Sequence, residues 1–318
     1  MWLYFRRRML TTIPVLLGVS LAIFLMLHLL PGDPVLMMLT EHRGGAAPTV
    51  TGNITQEMYD NMRRELGLDR PLPVQFGNFL IKAVQGDLGE SFRGGQPVVD
   101  LLRKNLPHTV ILALCGLVVA LFLGLFLGIL AALNRGRWLD GLTMTFAVVG
   151  VSMPSFWLGI MLLLIFALYL RILPAVGMAG DLRSLVLPSL ALGISASAIL
   201  ARLARSSMVE VLQQDYVRTA RAKGLRERFV VLKHALKNSL IPVLTVAGLQ
   251  FGGLLSGAVV VEVVFGRPGI GQIVVNAVLE KDFPVVQGMI LFAAFTYVLA
   301  NLLVDLSYGW LDPRVRYS

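Results

Sequence analysis

"GLTMTFAVVGVSMPSFWLGIMLLLIFALYL", residues 141–170, runs for 30 residues without a charged side chain. At about 1.5 Å per residue a straight helix of this length reaches about 45 Å, against about 30 Å of hydrocarbon in a bilayer. Pro154 stands near the middle, with Ser152 and Ser155 beside it. One kinked or strongly tilted helix would cross the membrane once. A re-entrant pair of half-helices would not cross, and it would reverse the topology of everything downstream.

Charge placement decides between the two. Five further apolar runs, near 9–30, 109–133, 185–201, 240–261 and 285–306, are long enough to span, alone or with a tilt. With six spans and an inner N-terminus, the inner side holds 16 basic residues against five acidic ones; the outer side holds 12 against 13. Such an excess belongs on the cytoplasmic side. The sequence therefore predicts an all-α polytopic membrane protein of six transmembrane helices with both termini cytoplasmic, and residues 141–170 as one kinked crossing.

Composition agrees: 56% of the chain is apolar, 15% is charged and mean hydropathy is +0.74, far from soluble domains. The net charge of +9 is accounted for by topology, so nucleic acid is not expected as a partner. A single cysteine, Cys115, excludes an intrachain disulfide and a cysteine metal cluster.

The chain divides into an N-terminal anchor helix (1–30), an extracytoplasmic cap (31–105), a membrane core of five helices (106–308) carrying a cytoplasmic loop (202–239), and a cytoplasmic tail (309–318). The first apolar run follows Arg6, Arg7 and Arg8 but is too long for a signal peptide, and "LHLLPGDP" offers no small-x-small cleavage site. It reads as an uncleaved anchor. In the cap, 55–66 is predicted helical, with Thr55 as N-cap and Gly67 as C-cap.

Catalytic chemistry is hard to place. The span interiors carry almost no ionisable groups, and His28, Glu262 and Asp305 sit near span ends, where packing or interfacial roles suit them. The four histidines lie on different segments, so a metal site is not expected. "GRPGIGQ" (266–272) lacks the Lys-Ser/Thr pair of a phosphate loop and reads as a turn. Small residues recur at spacing four: Gly124 with Gly128, Gly193 with Ser197 and Ala201, Gly248 with Gly252, Gly253 with Gly257. These suit close helix packing. Gln250, Gly253 and Ser256, with Ser152, Pro154 and Ser155, form a weakly polar, uncharged set suited to a solute path.

A protein built to surround a path, without an ion-coupling residue or a nucleotide site, needs energy from another subunit. The loop 202–239 is the only internal cytoplasmic segment long enough to receive it. Val209 to Lys223 lacks Pro and Gly, Gly224 is placed as a left-handed C-cap, and Arg221 and Lys223 complement the helix dipole. A second helix from about Glu227 would run into the fifth span, with Phe229, Leu232 and Leu236 forming its apolar stripe. Asp215, Tyr216, Val217, Arg218, Thr219, Ala220, Arg221, Ala222, Lys223, Gly224 and Leu225 would form the contact surface. Ala220 and Ala222 would leave room for a partner, and the arginines would fork onto carboxylates. Anionic lipid is the other partner such charges suit.

"DYVRTARAKGL" (215–225) followed by "KHALKNSLIPV" (233–243) resembles the coupling loop of the permeases of peptide-type ABC importers, the dipeptide, oligopeptide, nickel and glutathione group. The similarity extends through "HLLPGDP", "LGLDRPLPVQ", "GDLGESF", "VSMPSFWLGI", "ARLARSSMVEVL", "EVVFGRPGIGQ", "DFPVVQG" and "NLLVDLSYGWLDPRVR". Against the general Glu-Ala-Ala, three residues, Gly pattern, the chain keeps Ala220 and Gly224 but has Arg218 and Thr219, and Lys237 replaces a proline. The resemblance implies a type I ABC importer permease fold in a bacterial inner membrane. It implies as partners a second homologous permease, two ATPase subunits, an extracytoplasmic binding protein and membrane lipid. ATP and Mg would be bound by the ATPases, this chain holding no cofactor and no catalytic residue. Peptides are the expected cargo, with nickel or glutathione as alternatives; a passive channel or a membrane enzyme is disfavoured.

Overall fold

The computed structural model describes residues 2–29, 35, 56–65, 67–176 and 181–311. Among these the chain is helical, and an isolated antiparallel bridge between Glu90 and Pro97 is the only β pairing. The helices are α1 (Trp2–Leu29), α2 (Gln56–Glu65), α3 (Leu72–Val84), α4 (Val98–Leu133), α5 (Trp138–Ser152), α6 (Ser155–Tyr169), α7 (Arg183–Leu212), α8 (Asp215–Ala222), α9 (Glu227–Val264), α10 (Ile270–Glu280) and α11 (Phe283–Leu311). α6 is π-helical over Leu163–Tyr169 and α9 over Val230–Ala235.

Among the described residues, α4, α7 and α9 are each long and apolar enough to cross a membrane, and the α5–α6 pair makes a fourth crossing if it is one broken span. The apolar stretches described within α1 and α11, Thr12–Met26 and Phe283–Leu299, are shorter.

Residues 141–170 do not form the single kinked helix expected. α5 and α6 meet at 103°, a break rather than a kink or tilt. Proline causes it: Pro154 holds φ −59° and ψ 139° as the residue preceding α6, and it drives Met153 to an extended φ −91°, ψ 125° by clashing with any helical conformation there. The serines are not the hinge; Ser152 Oγ donates back to Val148 O at 3.0 Å, completing α5 rather than opening it.

The chain forms two compact units. One comprises Pro107–Gly271 with the chain from Tyr297 on, and α7 is its hub. Leu187, Ala191, Leu192, Leu200, Ala201, Ala204 and Met208 are all buried. α4 lies against α7 so closely that a Cβ on Gly124 would stand 2.7 Å from Leu200 Cβ, and one on Gly128 2.6 Å from Ala201 O. The Gly124/Gly128 and Gly193/Ser197/Ala201 spacings are thus the α4–α7 seam, as expected. α9 packs on the same hub through Val243, Ala247, Leu254, Ala258 and Val261, and α5 through Ala147 against Ala198 and Ala201. In lipid, where chain and solvent are equally apolar, such close van der Waals contact is what holds helices together.

The other unit comprises Trp2–Leu106 and Gln272–Thr296. α2 ends as expected: Gly67 has φ +69°, Leu68 N–H donates to Arg63 O and Gly67 N–H to Arg64 O at 2.9 and 3.0 Å. The expected N-cap Thr55 lies outside the described residues. Two motifs of the resemblance, 190 residues apart, meet here: the Asp282 carboxylate accepts from the Ser91 hydroxyl and, at 3.1 Å, from Phe92 N–H. A Cβ on Gly288 would stand 2.8 Å from Val98 and 3.1 Å from Leu88. "GDLGESF" and "DFPVVQG" are therefore one packed joint.

Candidate functional site: a basic helix beside the end of the bundle

α7 does not continue to Lys223. It stops at Leu212, the chain turns at Gln213, and Gln214 at ψ 148° starts α8 afresh. No proline or glycine marks this break. α8 closes by a Schellman motif: Gly224 at φ +77°, with Gly224 N–H donating to Arg221 O at 2.9 Å and Leu225 N–H to Ala220 O at 3.4 Å. The C-cap read from sequence is thus in place.

The helix is fixed to the bundle on one side. Val217 and Ala220 are buried with Val230, against Val211 and Leu212. Asn238 Nδ2 donates to Tyr216 Oη at 2.7 Å, and Ser207 Oγ donates to Ser239 O at 3.1 Å, tying α7 to α9. Ala220 therefore does not leave room for a partner; its short side chain lets α8 lie on α9. The outward residues are Asp215, Tyr216, Arg218, Thr219, Arg221, Ala222 and Lys223, with Gly224 and Leu225 exposed beyond them.

The arginines are not equivalent. Arg221 forks onto Glu227, Nε to Oε2 at 3.1 Å and Nη2 to Oε1 at 2.7 Å, across the Gly224 turn. The Glu227 carboxylate holds the guanidinium above its ordinary pKa through that hydrogen bond. This fork is spent inside the loop, a role sequence spacing did not suggest. Arg218 has only the loose 3.7 Å contact with Asp215 one turn away, and its charge is offered outward.

The second helix departs from expectation in its facing. Phe229 and Leu232 are exposed, while Val230, Val231, Ala235, Ser239 and Val243 are buried. The π-helical stretch Val230–Ala235 widens the turn, and the buried positions 231, 235, 239 and 243 recur every four residues. A 3.6-residue period selected the wrong stripe.

The path residues separate. Ser152 and Pro154 are exposed and Ser155 half-buried at the α5–α6 break. Gly253 and Ser256 are exposed with Leu249 and Val260, a spacing of four, three and four that defines one open face of α9. Gln250 does not share that face; its amide nitrogen and oxygen are both buried without a hydrogen-bond partner. Among the described residues, no hydrogen bond joins the two groups.

Two charged clusters escaped sequence reading, because each pairs residues remote in the chain or hidden in a turn. Arg205 on α7 forks onto Asp140 at the start of α5, at 2.6 and 2.7 Å, and Gly136 N–H adds a third bond at 3.0 Å. At the other end of α9, "GRPGIGQ" folds over Glu262, which is wholly buried. Glu262 Oε2 accepts from Gly271 N–H at 2.8 Å, and Arg267 Nη1 donates to Ser184 Oγ at 3.3 Å. Gly269 has no room for a Cβ beside that carboxyl group. The segment is a turn, as expected.

Residues 124–317 match the family described as binding-protein-dependent transport system inner membrane component, and residues 1–113 match that family's N-terminal membrane component. The chain belongs to this family, a multi-pass protein of the bacterial inner membrane, and its resemblance to the permease subunits of peptide-type ABC importers stands. It is 45% identical to the glutathione transport system permease protein GsiC of Pectobacterium atrosepticum, covering 99% of both chains. It is 44% identical to the protein of the same name in Escherichia coli strain K12, again over 99% of both. Its fold is shared with a chain of the MetNI methionine ABC transporter, at TM-score 0.56 and 17% identity over 67% of this chain and 96% of that one.

Proposed function

We propose that this chain forms half of the translocation path of an ABC importer for short peptides, and that α8 couples the path to an ATPase subunit. Six spans with both termini cytoplasmic fit the charge distribution, which puts α8 on the inner side with the ATPases. The observation that carries the reading is the form of α8: a basic helix, closed by its own C-cap at Gly224 and pinned by Tyr216 to Asn238. A projection held this firmly transmits force. When two ATPase subunits close on ATP and Mg, which they alone bind, the groove holding α8 would move, and α7 and α9 would rock with it.

The second permease and the extracytoplasmic binding protein complete the assembly. This chain supplies no catalytic group; Ser152, Pro154, Ser155, Gly253 and Ser256 would line an uncharged path, with Gln250 the polar group nearest it in sequence. Among cargoes, glutathione, itself a tripeptide, is favoured by relatives 44–45% identical over nearly the whole chain. Nickel import is the outcome to exclude.

The test is uptake by the complete complex in proteoliposomes, with labelled glutathione, di- and oligopeptides and nickel compared. Glutathione or peptide uptake that depends on ATP is expected. Gly224→Pro removes the Gly224 N–H and the positive φ together; ATP hydrolysis is expected to continue while uptake falls at least tenfold. Full uptake by this variant overturns the coupling role, and uptake of nickel alone overturns the cargo.

A further inference from the structure

Phe229 and Leu232 are the feature the bundle leaves unexplained. They are 59% and 65% exposed, on either side of the buried Val230 and Val231 and directly after the Gly224 turn. Further along α9, the exposed apolar residues Ile241, Leu244, Leu249 and Val260 fall within or at the edge of the length a bilayer covers, but these two lie at least nine residues short of them.

Length decides this. α9 is a 38-residue helical run. With its outer end at Val264, a helix upright in the membrane leaves about 30 Å of hydrocarbon after about 20 residues, near Thr245. Phe229 then lies about 24 Å below the hydrocarbon edge, whereas the headgroup layer is about 5–8 Å deep. At about 20° of tilt, the average for membrane helices, Phe229 lies about 19 Å and Leu232 about 15 Å below that edge. Both are beyond the headgroup layer, and two large apolar side chains exposed there mark a protein contact.

Charge narrows the partner. Arg226, Arg228 and Lys233 are exposed around the pair, and none of the three forms an ion pair among the described residues. The neighbouring acid, Glu227, is held by Arg221. The surface is therefore two apolar side chains in a positive surround, continuous along the chain with α8.

We infer that Phe229 and Leu232 are an apolar anchor seated in a carboxylate-rimmed cleft of the same ATPase subunit that receives α8. This rests on the coupling role proposed for α8 and enlarges it: the basic helix gives orientation, and the anchor gives hold, as large apolar groups do at the centre of interfaces. It gives the outward stripe at 229 and 232 a use that burial within the bundle does not.

The experiment installs a photo-reactive benzophenone side chain singly at positions 218, 229 and 232 of the intact complex in native membranes, with crosslinked products identified by mass. ATPase adducts from all three positions are expected. Adducts from 218 alone overturn the anchor and leave the α8 reading standing; no ATPase adduct from any position overturns both. Lipid or second-permease adducts at 229 and 232 also overturn the anchor. In parallel, Phe229→Ala with Leu232→Ala removes little packing inside this chain, so the bundle should fold and retain about tenfold less ATPase subunit under a stringent wash. Unchanged retention overturns the anchor.

Discussion

Two turns flank α9, and both are made of arginine, glutamate and glycine. Before its first residue, Arg221 and Gly224 stand in solvent with Glu227, and nothing lies within 4 Å of where a Gly224 Cβ would be. At its last turn and just beyond, Glu262 and Arg267 are buried, and Gly269 and Gly271 are glycine because there is no space. The same residue types do different work because of solvent. An exposed pair is worth about 0–1 kcal/mol, so the first turn takes its shape from backbone geometry. A buried carboxyl group depends on the fold for its hydrogen bonds, and Glu262 takes one from Gly271 N–H at 2.8 Å, so the second turn is fixed to α9.

The sharpest break of this comparison is Gly271→Ala. The added Cβ would stand 2.4 Å from Val259 O and 2.5 Å from its Cα, and backbone cannot move aside as a side-chain tip can. A loss of about 3 kcal/mol is expected, read as a large fall in Tm of the purified protein in detergent; an unchanged Tm would show the Glu262 turn to be as loose as the Gly224 turn.

Arg205→Leu tests an intermediate case, since the side chains of Arg205 and Asp140 are 31% and 9% exposed. It strands Asp140 with only the Gly136 N–H, and a loss of about 2 kcal/mol is expected. Adding Asp140→Asn should restore part of it, because the cost is an unpaired charge and not a missing contact.

Smaller still is Gly224→Ala. The site has room, so only the left-handed backbone resists, at about 1 kcal/mol. Glu227→Gln should cost least, under about 0.5 kcal/mol, because both partners are largely solvated. If Glu227→Gln proved as costly as Gly271→Ala in the same melts, the contrast between the turns would fail.

Much of the helical plan was legible because its signals are local. Apolar length marked the helices, glycines at spacing four marked the α4–α7 seam, and Gly224 and Gly67 marked two helix ends. Errors arose where a local signal had two structural outcomes. Pro154 announced a disturbance, but whether it kinks a helix or separates two depends on what packs against each half. The apolar stripe at Phe229 and Leu232 was real, yet a π-helical turn moved the buried face to Val231 and Ala235. Ala220 seemed small for a partner's sake and is small for Val217 and Val230.

By itself the sequence determined that the chain is a helical membrane protein, that its internal loop is basic, and that a helix there ends at Gly224. These depend on hydrophobicity, charge and backbone conformation, each a property of a few adjacent residues. Only tertiary structure decided that residues 141–170 break at 103°, that Arg221 is occupied while Arg218 is offered, and that Glu262 sits beneath "GRPGIGQ". Those depend on which side of an element meets another, and a difference of half a residue per turn is enough to change that side.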